Sequence, residues 1–255
     1  MFKSGFLAVS SLFLAWAPFS SAHDSWVQVN TLASPIGQPV YADLMLGNHG
    51  NHHRDFKLAS KIPLKGSTLV LIAPDGAETD LKERLFDEGM AEKEGYWSTR
   101  FFPHTPGLYC LAHTYDAVVS YAPKRALKSG KTYFDCEGEA AAFKPRALGH
   151  PLEIVPLQDP TGLRAGDSLP VRVLLRGEPL ADTVVSAIPK GVMLAGEFDP
   201  AHEARTDARG EARLPLAEAN RYLFVVHHKA PEETGKDYQD GTEYGATLTV
   251  MVRAK

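Results

Sequence analysis

The sequence predicts an all-β chain of two antiparallel sandwiches, and three observations carry that expectation. Helical periodicity is scarce across the 255 residues. Short runs rich in Val, Leu, Tyr and Phe alternate apolar with polar positions. Turn residues, chiefly Gly, Pro and Asp, separate these runs. A strand sends successive side chains to opposite faces, so a period of two is what a sheet with one buried face requires.

Residues 1–22 stand apart from this pattern. Lys3 is followed by an apolar run from Phe6 to Phe19 and then by Ser20, Ser21 and Ala22, the layout of a secretory signal peptide. Small residues at Ser20 and Ala22 place cleavage between Ala22 and His23. The run is shorter than the roughly 20 apolar residues a spanning helix needs, and Pro18 interrupts it. It therefore reads as a cleaved leader, and the expected location is periplasmic or secreted, with His23 as the first mature residue.

The first sandwich is expected over residues 23–148. Val40, Ala42, Leu44 and Leu46 alternate with Tyr41, Asp43 and Met45, and Thr68 to Ile72 forms a second run closed by Pro74-Asp75-Gly76. Trp97 to Phe102 and Leu108 to Tyr115 are joined through Pro103 to Gly107. After Tyr115 the pattern lapses through Lys124, Arg125, Lys128 and Lys131, which reads as a basic connection running to Pro145-Arg146. A second domain, 149–255, opens with Leu152 to Val155 and turns at Ala165-Gly166-Asp167. It continues with Leu169, Val171, Val173 and Leu175 on one face, then Val184 to Ile188, Tyr222 to His228 and Thr247 to Val252. Strands at this spacing suggest an immunoglobulin-like or transthyretin-like sandwich.

Charge and cysteine content narrow the function. Loss of residues 1–22 removes only Lys3 among the charged residues, leaving 26 Lys and Arg against 31 Asp and Glu and a net charge of −5. That balance offers no nucleic-acid surface, and the mature chain has no further stretch apolar enough to cross a bilayer as a helix. Cys110 and Cys136 are the two cysteines; in an oxidising compartment the expectation is one disulfide between them.

Histidine is the concentrated chemical signal. The run Gly47-Asn48-His49-Gly50-Asn51-His52-His53 follows a strand, and His227 and His228 end another. His23, as a free N-terminus, would offer both an α-amine and an imidazole, with ordinary pKa values of about 8 and 6.5, to one ion. Such donors suit nickel, cobalt, copper and zinc, whereas calcium and magnesium prefer oxygen. His104, His150 and His202 lie beside Pro or in polar turns and read as surface. His113 alternates with Tyr109, Leu111 and Tyr115, the place of a hydrogen-bonded core histidine, with metal ligation as the secondary reading. There is no G-x-S-x-G elbow, phosphate-binding Gly loop or H-E-x-x-H, so no catalytic residue is expected.

Several segments in this order resemble an exported NikM-like family associated with nickel or cobalt uptake: "AHDSW", "GNHG", "FFPHTPGLYCL", "LEIVPLQDP", "LRAGDSLPVRVLLRGEPL", "TDARGEARLPL" and "RYLFVVHHKAP". The resemblance implies metal ligation by His23, His49 and His228, with His52, His53, His227 and His113 secondary. It implies a periplasmic accessory protein that binds nickel or cobalt, with copper or zinc as further possibilities, and presents the ion to a membrane transporter by coordination and hand-over, not turnover. The alternatives are a metal-free adhesion or binding module and a copper redox enzyme with an N-terminal histidine brace.

Overall fold

The computed structural model describes residues 23–47, 55–89, 91–119, 122–137, 143–195 and 197–255. Among these the alternating runs become eighteen strands in three sheets, with no α-helix. Sheet I contains β1 (Asp24–Val29), β3 (Val40–Gly47), β4 (Leu58–Ser60), β7 (Phe86–Glu88) and β8 (Tyr96–Phe101). Its order is β1-β3-β8-β7, with β4 on β3. Sheet III is smaller: β11 (Leu152–Pro156), β12 (Asp167–Leu175), β13 (Glu178–Pro179) and β16 (Glu211–Leu216).

Sheet II lies between them. It comprises β2 (Ala33–Ser34), β5 (Ser67–Ile72), β6 (Glu78–Asp80), β9 (Gly107–Val118), β10 (Arg125–Cys136), β14 (Val184–Pro189), β15 (Glu203–Arg205), β17 (Arg221–Ala230) and β18 (Thr242–Met251). The order is β15-β14-β17-β18-β10-β9-β5-β6, with β2 on β10. Strands from both sides of residue 148 thus enter one sheet. The seam is the parallel β10–β18 pair, Arg125↔Thr242 through Thr132↔Thr249; most other pairs are antiparallel, as the turns predicted.

Period two sets the layers. Leu69, Leu111 and Phe134 of sheet II meet Val27, Val40 and Leu44 of sheet I in one core. Ala112, Phe224, Val226 and Leu248, from the opposite face of sheet II, meet Ile154, Val171 and Leu214 of sheet III in another. A third cluster gathers Trp26, Phe56, Ile188, Leu194, Leu223 and Val225. The all-β sandwich expectation therefore holds, with a central sheet covered on both faces.

Two expectations are corrected. The basic stretch read as a connection is the twelve-residue strand β10 at the centre of sheet II. Its polar side chains escaped the alternation because each is buried against a specific partner: the Lys131 ammonium lies 2.5 Å from Glu153 Oε1, Ser129 donates to the Leu152 carbonyl at 2.5 Å and Thr132 donates to the Thr249 carbonyl at 2.9 Å. Nor do Cys110 and Cys136 form a disulfide; both are free, buried thiols. Cys110 stands opposite Tyr133 and Cys136 opposite Gly107, a stagger of three positions, or about 10 Å along the strand. They also lie on opposite faces, Cys110 in the core toward sheet III and Cys136 in the core toward sheet I. A bridge needs Cα atoms within about 7 Å, so none can close. The expected leader, residues 1–22, lies outside the described residues.

Candidate functional site at the N-terminal corner

The segment Asp24–Val29 is a structural strand, not a loose end. All six residues of β1 are buried, because β1 lies directly on sheet II where two glycines lower the surface. A Cβ on Gly130 would meet Thr247 Oγ1 at 2.8 Å, Trp26 Cα at 3.3 Å and the Ser25 carbonyl oxygen at 3.4 Å. At Gly245 a Cβ would meet Asp24 Oδ1 at 3.4 Å, His227 Cδ2 at 3.8 Å and Lys128 Cγ at 3.9 Å. The backbone of β1 approaches this closely at Gly130 only because that position carries no side chain, whereas the distances at Gly245 are ordinary van der Waals contacts.

Successive residues of β1 are then tied to different strands of sheet II. The Lys128 ammonium donates to the His23 carbonyl oxygen. Asp24, 1% exposed, sets Oδ1 2.7 Å from Nε2 of His227. Thr247 Oγ1 donates to the Ser25 carbonyl at 2.9 Å. The Ser25 hydroxyl meets Nε2 of His113 at 3.0 Å, and Nδ1 of His113 meets the Thr68 carbonyl at 2.8 Å. A carbonyl only accepts, so Nδ1 carries the proton and Nε2 accepts from Ser25.

His113 is thus the hydrogen-bonded core histidine that the alternation suggested. Burial is the largest influence on it and pushes its pKa down to about 4, against the Thr68 hydrogen bond. With both ring nitrogens engaged and no exposure, it has no nitrogen to offer a metal, and no substrate can reach its pairing with Ser25. Burial also pushes the Lys128 ammonium below its ordinary value, opposed by the nearby carboxylates of Asp24 and Glu243.

Two of the histidine stretches singled out in the sequence meet here, and a third begins here. Asp24 pairs with Gly47 in the β1–β3 register, so β3 ends beside His23; His49, His52 and His53 lie outside the described residues. His227 reaches the same corner through Asp24. His228, one residue on, points to the other face and packs on Tyr244 with ring centroids 5.9 Å apart. The corner residue of that pair is His227. A ligating imidazole characteristically gives its other nitrogen to a carboxylate, and the Asp24–His227 pair has that form. Among the described residues no group of three His, Cys, Asp or Glu side chains is placed to hold an ion. Asp24, Ser25 and Lys128 were not legible as site residues; the one available signal was the run of polar residues immediately after the leader, ahead of Trp26.

Fold and corner together define an all-β sandwich protein whose strand β1 is pinned against His113 and His227 of the central sheet. The chain belongs to the family of domains of unknown function DUF4198, whose pattern matches residues 20–230. Among curated proteins no relative matches. Solved structures offer distant likenesses. A DUF4785 family protein from Legionella pneumophila shares 11% identity at a TM-score of 0.30, over 89% of this chain and 55% of that one. The adhesin InvE of Yersinia pseudotuberculosis shares 11% at 0.24, over 89% and 58%. A Salmonella alpha-2-macroglobulin shares 14% at 0.26, over 96% and 16%. The chain thus spans little more than half the length of the first two and a small part of the third.

Proposed function

We propose that this is an exported, periplasmic protein that binds a divalent transition metal, nickel or cobalt, at the N-terminal corner and presents it to a membrane transporter, as its likeness to NikM-like proteins implies. One observation supports the reading: the Asp24↔Gly47 register and the 2.7 Å Asp24–His227 contact bring His23, Gly47 and His227 to a single corner. Imidazole nitrogens and a terminal amine are the donor set for such ions. The anchoring of β1 supports the reading because it fixes the His23 backbone before any ion arrives, which lowers the ordering cost of binding.

The test is isothermal titration of nickel into protein starting at His23, with metal content measured in parallel. One extra residue before His23, and separately His227→Ala, should each weaken binding at least tenfold, while His228→Ala should leave it within about twofold. Affinity should fall below about pH 6, where imidazole and amine are protonated. Equal binding by the extended and native forms, or no saturable binding, would refute the reading.

A further inference from the structure

A cavity of about 860 Å³ opens beside the corner, a size that suits a small organic molecule. Its floor is the A117–A126 rung of the β9–β10 pair, Ala117 facing Ala126, and Leu46, Ile62 and Val118 contribute its apolar wall. Small residues at the rung are what leave the space open.

The charges around it are one-sided. Among the described residues, Lys61, Lys65, Lys93 and Lys128 line it together with a single carboxylate, Asp116. Asp116 is already committed: Arg125 grips it through Nε at 2.8 Å and Nη2 at 2.5 Å. Lys61 is likewise satisfied by Asp87 at 2.7 Å, and Lys128 by the His23 carbonyl. The exposed ammonium groups of Lys65 and Lys93 have no carboxylate partner among the described residues. An apolar chamber with unbalanced cations at its edge complements a molecule with an apolar body and one anionic end.

We infer that this cavity binds an aliphatic carboxylate, its chain against Ala117, Ala126 and Ile62 and its carboxylate toward Lys65 and Lys93. The inference does not depend on metal binding. A neutral aliphatic would gain only the apolar contact, and a bare cation would meet net positive charge, so the anion is the class that uses both features.

The experiment uses EDTA-treated protein starting at His23, titrated with octanoate and, in parallel, with octan-1-ol. Octanoate should bind saturably, one per chain, at least tenfold more tightly than the alcohol, and more weakly as salt is raised. The surface double variant Lys65→Glu/Lys93→Glu should lose at least tenfold in octanoate affinity with an unchanged Tm. Ala117→Trp should abolish binding by filling the chamber. The inference is overturned if octanoate shows no saturable binding, if alcohol and carboxylate bind alike, or if the double lysine variant binds octanoate as the parent does. The two lysines are exposed, so their replacement tests the site even where the tryptophan variant fails to fold.

Discussion

Acidification should release the N-terminal strand, and His113 sets the size of the effect. In the unfolded chain its imidazole titrates at the ordinary value of 6.5, whereas burial in the folded protein pushes it to about 4. Between these values the unfolded chain binds more protons than the folded one, so stability falls as pH falls through that window. Two pH units below 6.5, at about 1.36 kcal/mol per unit, give a loss of about 2.5 kcal/mol by pH 4.5. Protonated Nε2 could no longer accept from Ser25, so the strain falls on the contact that holds β1 to sheet II. His150, pushed down to about 4 chiefly by burial, and Glu153, held below its ordinary value by Lys131 in spite of burial, act in the same direction. The informative quantity is therefore a difference. Urea unfolding, followed by tryptophan fluorescence at pH 7.5, 6.5, 5.5 and 4.5, should show His113→Gln losing about 2.5 kcal/mol less than the parent over that range, whatever its stability at pH 7.5. Parallel stability curves for the two proteins would refute the assignment of a buried neutral histidine.

Two further outcomes follow from buried groups. Lys131→Met strands the Glu153 carboxylate, 1% exposed, and should cost about 3–5 kcal/mol; adding Glu153→Gln should recover at least half in urea unfolding, since an amide oxygen can still accept from the Leu148 backbone N–H, now 2.7 Å from the carboxylate. No recovery would show that the pair's charge is not the source of the loss. Free-thiol labelling of the unreduced, denatured protein should find both cysteines, and reductant should leave Tm unchanged; in the native state Cys110 should resist labelling, because burial pushes its thiol up to about 11. Absence of labelled thiols would contradict the three-position stagger.

What the sequence disclosed depended on whether a strand's buried face is apolar. β3, β5, β8 and β12 follow their alternation to within about a residue at most ends. β10 did not, since its buried side chains include two lysines, a serine and a threonine, each satisfied by a residue on another segment of the chain; periodicity within one strand cannot report such contacts. The cysteine pairing failed for a related reason: compartment and count say that a bridge is chemically allowed, but register and face decide whether it can close. At the site, sequence brought forward His23, His49 and His228, with His52, His53, His227 and His113 secondary. The contact of His227 with Asp24 required knowing which face of β17 meets β1. Asp24 is the residue that makes that contact, and nothing in a lone aspartate announces it.

The parallel β10–β18 seam bears on how such a chain is made. β18 follows every other strand of sheet II in the chain, yet it lies between β17 and β10, where it joins the strands of one half to those of the other. A nascent chain that has reached residue 136 holds β9 and β10 with an open edge, and no wait closes it until residues 242–251 emerge. Sequence separation of this kind slows folding. The layout that postpones closure also exposes the β10 edge meanwhile, and unpaired edges recruit neighbours. Lys128 and Lys131, on opposite faces of that same strand, place charge along the waiting edge.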